Sequence, residues 1–319
     1  MGGVTSSLAR AGVVAASVIA LIAFAANSLL TRAALVPGDD GSTALSAPAF
    51  VALRLLAGAA ALAPWWWPVA RGRARRRAQG RSAPDDAVAV RAGAVRTDSV
   101  RITPAAALLA YAVPFTFAYL AMPAGTGALL LFGSVQVTMI GTGLLRGERL
   151  GPVRTVGLTA AAAGLVTLVA PGLAAPPAWA AASMIVAGVA WGVYTLAGRD
   201  ERDPARATAR NFAWAAPVGA AALLVPGAWD DATARGIFLA LASGALTSGA
   251  GYLIWYRALP HLSRTVAAVL QLTVPVLAAF GGVVWLHESI QARLVVATIL
   301  VLGGVATVLA APHLRRDTT

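Results

Sequence analysis

Two glutamines stand in the middle of strongly apolar runs of the sequence. Gln136 lies within ALLLFGSVQVTMIG (residues 128–141), and Gln271 lies within LQLTVPVL (residues 270–277). A side-chain amide that faces hydrocarbon loses its hydrogen bonds to water, so it must face another helix or a wet cavity. An amide can hold a solute by hydrogen bonds, and both positions offer this chemistry. Hydrogen bonding to a neighbouring helix is the structural alternative for Gln136.

Pro275 adds a second polar group at the position of Gln271. Because proline has no N–H, the carbonyl oxygen of Gln271, four residues earlier, has no helical partner. A free backbone acceptor within a membrane is tolerated only where protein or cavity water satisfies it. We therefore expect Gln271 to line a substrate path. Pro114 repeats this arrangement near Tyr111, whose aromatic surroundings are equally compatible with ordinary packing.

Other polar and aromatic residues lie in the first, sixth and eighth apolar stretches. Asn27 is in the first, Trp191, Tyr194 and Thr195 are in the sixth, and Tyr252 is in the eighth. Their side chains can contact a substrate or form hydrogen bonds between helices, and the sequence leaves both open.

The eighth stretch also carries a strip of hydroxyl side chains. Ser243, Thr247 and Ser248 form this strip, for which the same two roles are open. Trp255 and Tyr256 lie near the end of the stretch. We expect these two rings to lie in the membrane interface.

Arg54 lies within the second apolar stretch, away from both of its ends. It lies about a turn and a half from the start of the second stretch, close enough for its head group to reach the interface. Its guanidinium can attract an anionic group such as a carboxylate or a phosphate. A structural pair with a helix-end carbonyl or an acid is the alternative.

The pattern does not favour an enzyme. The segment HESIQ at 287–291 does not complete the HExxH zinc pattern, because position 291 is glutamine. The sequence has no cysteine, and its three histidines lie at loops or at the ends of apolar stretches. No acidic residue lies in the middle of an apolar stretch. We therefore expect neither an enzyme nor a cofactor, and no proton coupling through an embedded carboxylate.

The elements that carry these residues are helices that cross a membrane. Of the 319 residues, 58% are hydrophobic and only 12% are charged, and the mean hydropathy is +0.74. Ten apolar stretches are each long enough to cross a bilayer as a helix. They run over about residues 12–35, 48–70, 104–122, 124–145, 153–170, 178–198, 211–227, 236–258, 265–286 and 293–311. The sequence therefore predicts an all-α polytopic membrane protein.

Charge placement predicts the topology. All 25 basic residues are arginines, and they cluster in every second loop. Four lie elsewhere: Arg32, Arg54, Arg235 and Arg293. By the positive-inside rule, ten crossings of a plasma or inner membrane then leave both termini in the cytoplasm. The net charge of +12 is thus explained by the lipid bilayer, and we expect no nucleic-acid partner.

One long polar insert interrupts the apolar stretches. Residues 71–101 contain nine arginines and no apolar periodicity, so we expect a disordered cytoplasmic loop over about 71–103. Anchoring of the topology against an anionic leaflet is the simplest role for this loop. Binding of a partner or regulation is the alternative.

The chain also repeats itself. AANSLLTR (25–32) aligns with GVYTLAGR (192–199), and LLRGERL (144–150) aligns with VWLHESI (284–290). The second alignment places Glu148 opposite Glu288, at a spacing of 140 residues, and we expect both acids to cap or anchor helix ends. Each repeat, 12–170 and 178–311, contains five spans. Because five is odd, the two repeats enter the membrane from opposite sides, an arrangement typical of secondary transporters.

The two halves resemble tandem EamA domains of the drug/metabolite transporter superfamily. The resemblance covers almost the whole chain outside the basic insert. It rests on PAFVALRLLAGAAAL, PAGTGALLLFGSVQVTMIGTGLLRGERL, AGVAWGVYTLAGR and YRALPHLSRTVAAVLQLTVPVLAAFGGVVWLHE. It implies two inverted five-helix bundles and alternating access for a small solute, often by export. Span 4 has SVQVTMI where the family commonly has a proline, so we expect this span to be unbroken.

Together these patterns predict a secondary transporter for a small metabolite or amphipathic compound, which includes amino-acid-like solutes, with export favoured. The predicted substrate-binding residues are Gln271, Gln136, Asn27, Tyr194, Thr195, Trp191, Tyr111, Arg54 and Tyr252. A passive channel or facilitator for a small neutral solute is the alternative function. The sequence leaves open whether the protein forms a homodimer.

Overall fold

In the residues that this computed structural model describes, the helices fall into ten successive segments, α1 to α10. The structure describes residues 2–37, 44–66, 95–97, 100–102, 104–145, 151–172, 175–198, 201, 203–230, 232–262 and 264–310. The first five spans are α1 (Gly2–Leu35), α2 (Ala47–Ala61), α3 (Pro104–Ala118), α4 (Ala124–Leu145) and α5 (Pro152–Val169). The second five are α6 (Ala178–Gly198), α7 (Pro204–Ala222), α8 (Ala234–His261), α9 (Arg264–Gln271 and Thr273–Leu286) and α10 (Ala292–Ala310).

These helices confirm the predicted fold class. Five helical segments are long and apolar enough to cross a membrane, and four further apolar helices are shorter. Large apolar side chains are exposed on the outer surface of the helix bundle, among them Phe238, Phe280 and Trp285. Such side chains are stable in lipid, where no water penalises their exposure. The protein is therefore an all-α polytopic membrane protein.

The loop contacts show that the chain reverses direction at every span. Hydrogen bonds at one end of the bundle tie together the connections that follow α1, α3, α5, α7 and α9. Arg32 donates to the Tyr119 carbonyl, Ser46 donates to the Ala228 carbonyl, and Arg293 donates to the Ala170 carbonyl. At the opposite end, the start of α3 and the ends of α6 and α8 meet around one pocket.

The helix bundle has two ends, each called after one of its residues. The Glu288 end comprises Arg32, Tyr119, Ala124 and Glu288, and the Tyr256 end comprises Trp191, Tyr194, Asn211 and Tyr256.

Small residues let the helices approach closely. On α4, Ser134 faces Gly188 of α6, and one turn later Thr138 faces Gly192 of the same helix. A Cβ atom added at Gly192 would lie 2.9 Å from the Thr138 Cβ, so only glycine fits there. Close packing of this kind holds membrane helices together where water cannot drive their association. The face of α4 that carries Ser134 and Thr138 is thus the face that packs on α6.

Two helices are irregular. Residues Ser243–Ala250 of α8 form a π-helical segment, and α9 is interrupted at Leu272. The break in α9 lies three residues before Pro275, as expected from the missing N–H of that proline. In contrast, α4 is continuous, which agrees with the absence of proline from its sequence.

Three expectations need correction or lie outside the described residues. The seventh span begins at Pro204 instead of 211, because Asp203 caps its N-terminus by accepting from the Arg206 N–H. Residues 71–94 of the basic loop lie outside the described residues, as does Glu148. The last part of that loop is not disordered as expected, because strands β1 (Val95–Thr97) and β2 (Val100–Ile102) pair as an antiparallel hairpin.

Candidate substrate cavity

A closed cavity lies between five helices drawn from both halves of the chain. Its free volume is about 10 Å³ in this conformation, which is room for about one water molecule. Each lining residue is at most 5% exposed, so neither surface of the bundle reaches the cavity in this conformation. The lining residues are Phe24, Asn27 and Ser28 of α1, Tyr111 and Phe115 of α3, Leu131 and Phe132 of α4, Trp191 of α6 and Tyr252 of α8.

Aromatic rings form most of the cavity wall. The Trp191 ring lies 4.9 Å from the ring of Tyr111 and 4.7 Å from that of Tyr252, measured between centroids. Phe24 packs edge-on against Trp191, at 6.0 Å, and against Tyr252, at 5.8 Å. Tilted and edge-on pairs match the preferred electrostatics of aromatic rings and bury much apolar surface. The wall therefore suits a flat, apolar group.

Asn27 is the centre of a buried hydrogen-bond network at the cavity. Its amide nitrogen donates to the Tyr111 hydroxyl over 3.0 Å. Its amide oxygen accepts from the hydroxyls of Ser243, at 2.8 Å, and Thr247, at 3.1 Å. Both hydroxyls belong to the π-helical segment of α8, and such segments occur often at functional sites. The irregular turn thus joins α8 to α1 and α3.

Arg54 lies behind the tyrosines of this wall and is 1% exposed. Its Nη2 donates to the Tyr111 hydroxyl over 2.9 Å, and its Nε donates to the Ser248 hydroxyl over 3.2 Å. A longer contact of 3.5 Å joins Nη2 to the Tyr252 hydroxyl. The guanidinium carbon also lies 4.9 Å from the centre of the Phe115 ring, within the range of a cation–π interaction.

This environment corrects the expectation that Arg54 reaches toward the interface. Its hydrogen-bond partners are neutral hydroxyls, and no acid pairs with it among the residues that the structure describes. Nη1 has no hydrogen-bond partner there. Within the part of the chain that the structure describes, the side chain is therefore a buried cation without a counterion.

The structure brings five of the nine predicted residues together. Asn27, Tyr111, Trp191 and Tyr252 line the cavity, and Arg54 donates to two of them. Signals for this group were present in the sequence, because a polar or aromatic residue in an apolar span must face protein or a cavity. Phe24 gave no such signal, since an apolar side chain is ordinary in any membrane helix.

The other four predicted residues lie elsewhere. Tyr194 and Thr195 are one turn beyond Trp191, toward the Tyr256 end, where Tyr194 accepts from Asn211 over 3.4 Å. Gln136 and Gln271 are buried at 1% and 2% exposure, yet neither belongs to the described lining of the cavity. Their part in substrate binding stays a prediction.

The Glu288 end closes one side of the cavity with charged and main-chain groups. Arg32 Nε lies 3.2 Å from Glu288 Oε1, and Arg32 Nη1 donates to the Tyr119 carbonyl over 2.8 Å. Glu288 Oε2 accepts from the Ala124 N–H at 2.9 Å, so the acid caps the N-terminus of α4. The expected capping role of Glu288 agrees with this geometry.

The Tyr256 end closes the other side with rings. Trp191 stacks on Tyr194 with centroids 5.4 Å apart and planes inclined by 29°, and Tyr194 meets Tyr256 edge-on at 6.2 Å. Trp255 and Tyr256 are 1% and 3% exposed, so the prediction that they lie in the membrane interface is wrong. Contacts with Phe24 and Tyr194 bury them in the bundle instead.

A second pocket lies beyond these rings. Its free volume is about 10 Å³, and Tyr194, Thr208, Arg210 and Asn211 are among its lining residues. The stack of Trp191 on Tyr194 therefore separates the closed cavity from a pocket at the Tyr256 end.

Known proteins match most of the chain, and a family model matches its second half. A model of the EamA-like transporter family matches residues 178–310. The uncharacterized protein PA1977 of Pseudomonas aeruginosa is 45% identical over 300 residues, which cover 94% of this chain and 95% of that protein. The uncharacterized transporter YoaV of Bacillus subtilis is 27% identical over 128 residues, 38% of this chain and 44% of that one.

A solved crystal structure shares the fold. It superposes with a TM-score of 0.56 over 93% of this chain and 98% of the other, at 20% sequence identity. The five long apolar helices and the closed cavity between the two halves agree with the match to a family of membrane transporters. The chain belongs to the EamA-like transporter family, a family of membrane transporters for small substrates.

Proposed function

We propose that the protein is a secondary transporter that moves a small metabolite or amphipathic compound by alternating access, with export favoured. The observation that carries the proposal is the closed cavity between the halves, with a different closure on each side. A solute held there leaves when one closure opens while the other stays shut. Aromatic rings and neutral hydrogen-bonding groups would hold it, chiefly Asn27, Tyr111 and Trp191.

The helix contacts support an inverted repeat of 12–170 and 178–311. When α1–α5 are exchanged for α6–α10, the pair α3–α6 becomes α8–α1, and the pair α4–α6 becomes α9–α1. Both members of each exchange are in contact. Likewise α2–α8 becomes α7–α3, and α4–α5 becomes α9–α10. The pairs α2–α7, α4–α9 and α5–α10 map onto themselves and are also in contact. Paired contacts of this kind are expected of a two-fold relation.

Single residues between α5 and α10 follow the same relation. The 140-residue spacing of Glu148 and Glu288 aligns Gly164 with Gly304 and Gly157 with Ala297. A Cβ atom at Gly164 would lie 3.0 Å from the Ala297 carbonyl oxygen, and one at Gly304 would clash with the Gly157 carbonyl oxygen. Exchange of the halves converts the first contact into the second, which supports a duplication with opposite orientation.

The arginine distribution supports an orientation for this cycle. Arginines concentrate in the loops that follow even-numbered spans, and the positive-inside rule places those loops in the cytoplasm. In the proposed plasma or inner membrane, both termini and the Tyr256 end then face the cytoplasm. The Glu288 end faces outward and is where an exported solute is released.

The test is solute flux in proteoliposomes that contain the purified protein. The panel comprises radiolabelled amino acids, organic acids and amphipathic amines, with and without an imposed pH gradient. We expect saturable uptake and counterflow for at least one class. Non-saturating leak without counterflow would contradict alternating access and favour a passive channel.

A further inference from the structure

We infer that the cavity takes a solute with a single carboxylate on a flat apolar body, and that Arg54 supplies the positive charge that recognises it. The inference rests on the proposed function, because it names the class of solute that the transporter moves. It depends on the charge, the hydrogen-bond directions and the wall of one cavity.

The charge of Arg54 is not balanced by any group that the structure describes around it. A buried cation without a counterion loses its hydration and gains no ion pair in return. The described acids Glu201, Asp203, Asp230 and Glu288 lie at helix ends or in loops, and Glu288 pairs with Arg32. A negative charge brought into the cavity by a solute would provide the missing balance.

The hydrogen-bond directions also call for an acceptor. The Tyr111 oxygen accepts from both Asn27 and Arg54, and its hydroxyl also forms a hydrogen bond with the Tyr252 hydroxyl, so the demand for an acceptor comes from Arg54. Arg54 Nη1 carries further N–H groups that have no described partner. Carboxylate oxygens only accept hydrogen bonds, and they form the strongest ones with guanidinium groups. The network is therefore complementary to a carboxylate.

The number of charges selects a carboxylate over a phosphate ester. Arg54 is the single ionised group among the described residues in or directly behind the cavity wall; the others are neutral. One carboxylate neutralises one guanidinium. A phosphate monoester carries about 1.5 to 2 negative charges at neutral pH, so its excess charge would remain buried.

The wall determines the rest of the solute. Phe24, Trp191, Tyr252 and Phe115 surround the space next to the tyrosine hydroxyls with ring surfaces. These rings bind a flat apolar group by burial and stacking and provide no site for a second charge. The free volume is only about 10 Å³ in this conformation, so even a solute of one ring enters only when these rings move apart.

The first test measures binding with three probes that share a ring and differ in charge. The unfolding temperature of the purified, full-length protein in detergent is measured with phenylacetate, phenylacetamide and phenyl phosphate at equal concentrations. We expect phenylacetate to raise the midpoint, because ligands that bind only the folded state stabilise it. We expect little or no shift with the other two. Equal shifts for phenylacetate and phenylacetamide, or no shift with phenylacetate, would overturn the inference.

Substitutions assign the effect to Arg54. Arg54→Gln should weaken phenylacetate binding about 30-fold, the loss expected for a charge-assisted hydrogen bond in a buried site. Arg54→Lys keeps the charge but not the paired donors, so we expect a smaller loss of about fivefold. Arg235→Gln removes the same charge from an exposed position at the start of α8 and should leave binding unchanged. Unchanged phenylacetate binding in Arg54→Gln would exclude Arg54 as the recognition group.

A flux measurement separates this inference from the proposed function. The same probes are tested for counterflow in proteoliposomes. Phenylacetate stabilisation that depends on Arg54, without counterflow, would keep the anion site and contradict transport. Saturable counterflow of phenylacetamide that survives Arg54→Gln would keep transport and overturn the anion site.

Discussion

The two ends of the cavity are closed by different physical means. At the Glu288 end, Arg32 and Glu288 form an ion pair whose side chains are 17% and 15% exposed. At the Tyr256 end, Trp191, Tyr194 and Tyr256 pack ring on ring and are at most 3% exposed. One closure is charged and close to water, and the other is apolar and buried.

The magnitudes indicate which end opens more readily. An ion pair near the surface contributes about 1 kcal/mol or less, and water can replace its partners when it separates. Each aromatic pair contributes about 0.5–1.5 kcal/mol in addition to the apolar area that it buries. We therefore expect the Glu288 end to open first, by local separation, whereas the Tyr256 end opens only when α6 and α8 move together. In the proposed orientation this asymmetry favours release to the outside.

The largest expected effect comes from removing the central ring. Trp191→Ala deletes the contact shared by the cavity wall and the Tyr256 end, and a substitution of this kind costs about 3–5 kcal/mol of packing free energy. We expect counterflow to be lost and the unfolding temperature to fall.

The matched control is on the same helix. Trp179→Ala changes a side chain that is 50% exposed near the start of α6, where no described ring packs on it. It should retain transport. Equal losses in Trp179→Ala and Trp191→Ala would show that the effect is general to α6 and not specific to the closure.

An intermediate effect is expected at the charged end. Glu288→Gln keeps an oxygen that can accept from the Ala124 N–H but removes the charge that faces Arg32. We expect a loss of about 1 kcal/mol in the stability of the closed conformation, since the pair is partly exposed.

A double-mutant cycle isolates this pair. Because the two side chains contact each other, Arg32→Gln with Glu288→Gln should cost less than the sum of the two single substitutions. Thermal unfolding of the four proteins in one detergent provides the four free energies. Additive losses would show that the ion pair does not stabilise the closure.

The smallest effect tests whether hydrogen bonding matters at the Tyr256 end. Tyr194→Phe removes the hydroxyl that accepts from Asn211 at 3.4 Å but keeps the stack on Trp191. A hydrogen bond of this length contributes little, so transport should stay within about twofold of the unchanged protein. A tenfold loss of counterflow rate in Tyr194→Phe would mean that the hydroxyl, and not the ring, is the essential group.

The sequence predicts the helices well because each span needs only a long apolar run, which is a local property. Asn27 and Tyr252 were predicted for a related reason, since a polar group in such a run must find a partner. The burial of Arg54 does not follow from its own apolar stretch, because it depends on hydroxyls from α3 and α8 that approach it only in the folded bundle. Tyr256 was misassigned for the same reason: its burial depends on Tyr194 of another helix.

The two irregular helical segments also differ in whether the sequence predicts them. The break in α9 follows from Pro275, a single residue with a known backbone effect. The π-helical turn of α8 has no comparable residue, because SGALTSGA (243–250) is compatible with a regular helix. Its position depends on close packing, since Gly244 lies against the Arg54 backbone where a Cβ atom would clash.

Alternating access is tested most directly by labelling cysteines placed on the two sides of the cavity. The natural chain has no cysteine, so Ser28→Cys and Thr208→Cys each provide one thiol, the first between the cavity and the Glu288 end and the second in the pocket at the Tyr256 end. Both proteins, in nanodiscs that expose both membrane faces, are labelled with a charged maleimide, with and without Glu288→Gln. We predict faster labelling in Ser28→Cys and slower labelling in Thr208→Cys when Glu288 is replaced, because opening one end closes the other. Faster labelling of both thiols would contradict this account, because it would indicate a continuous pore.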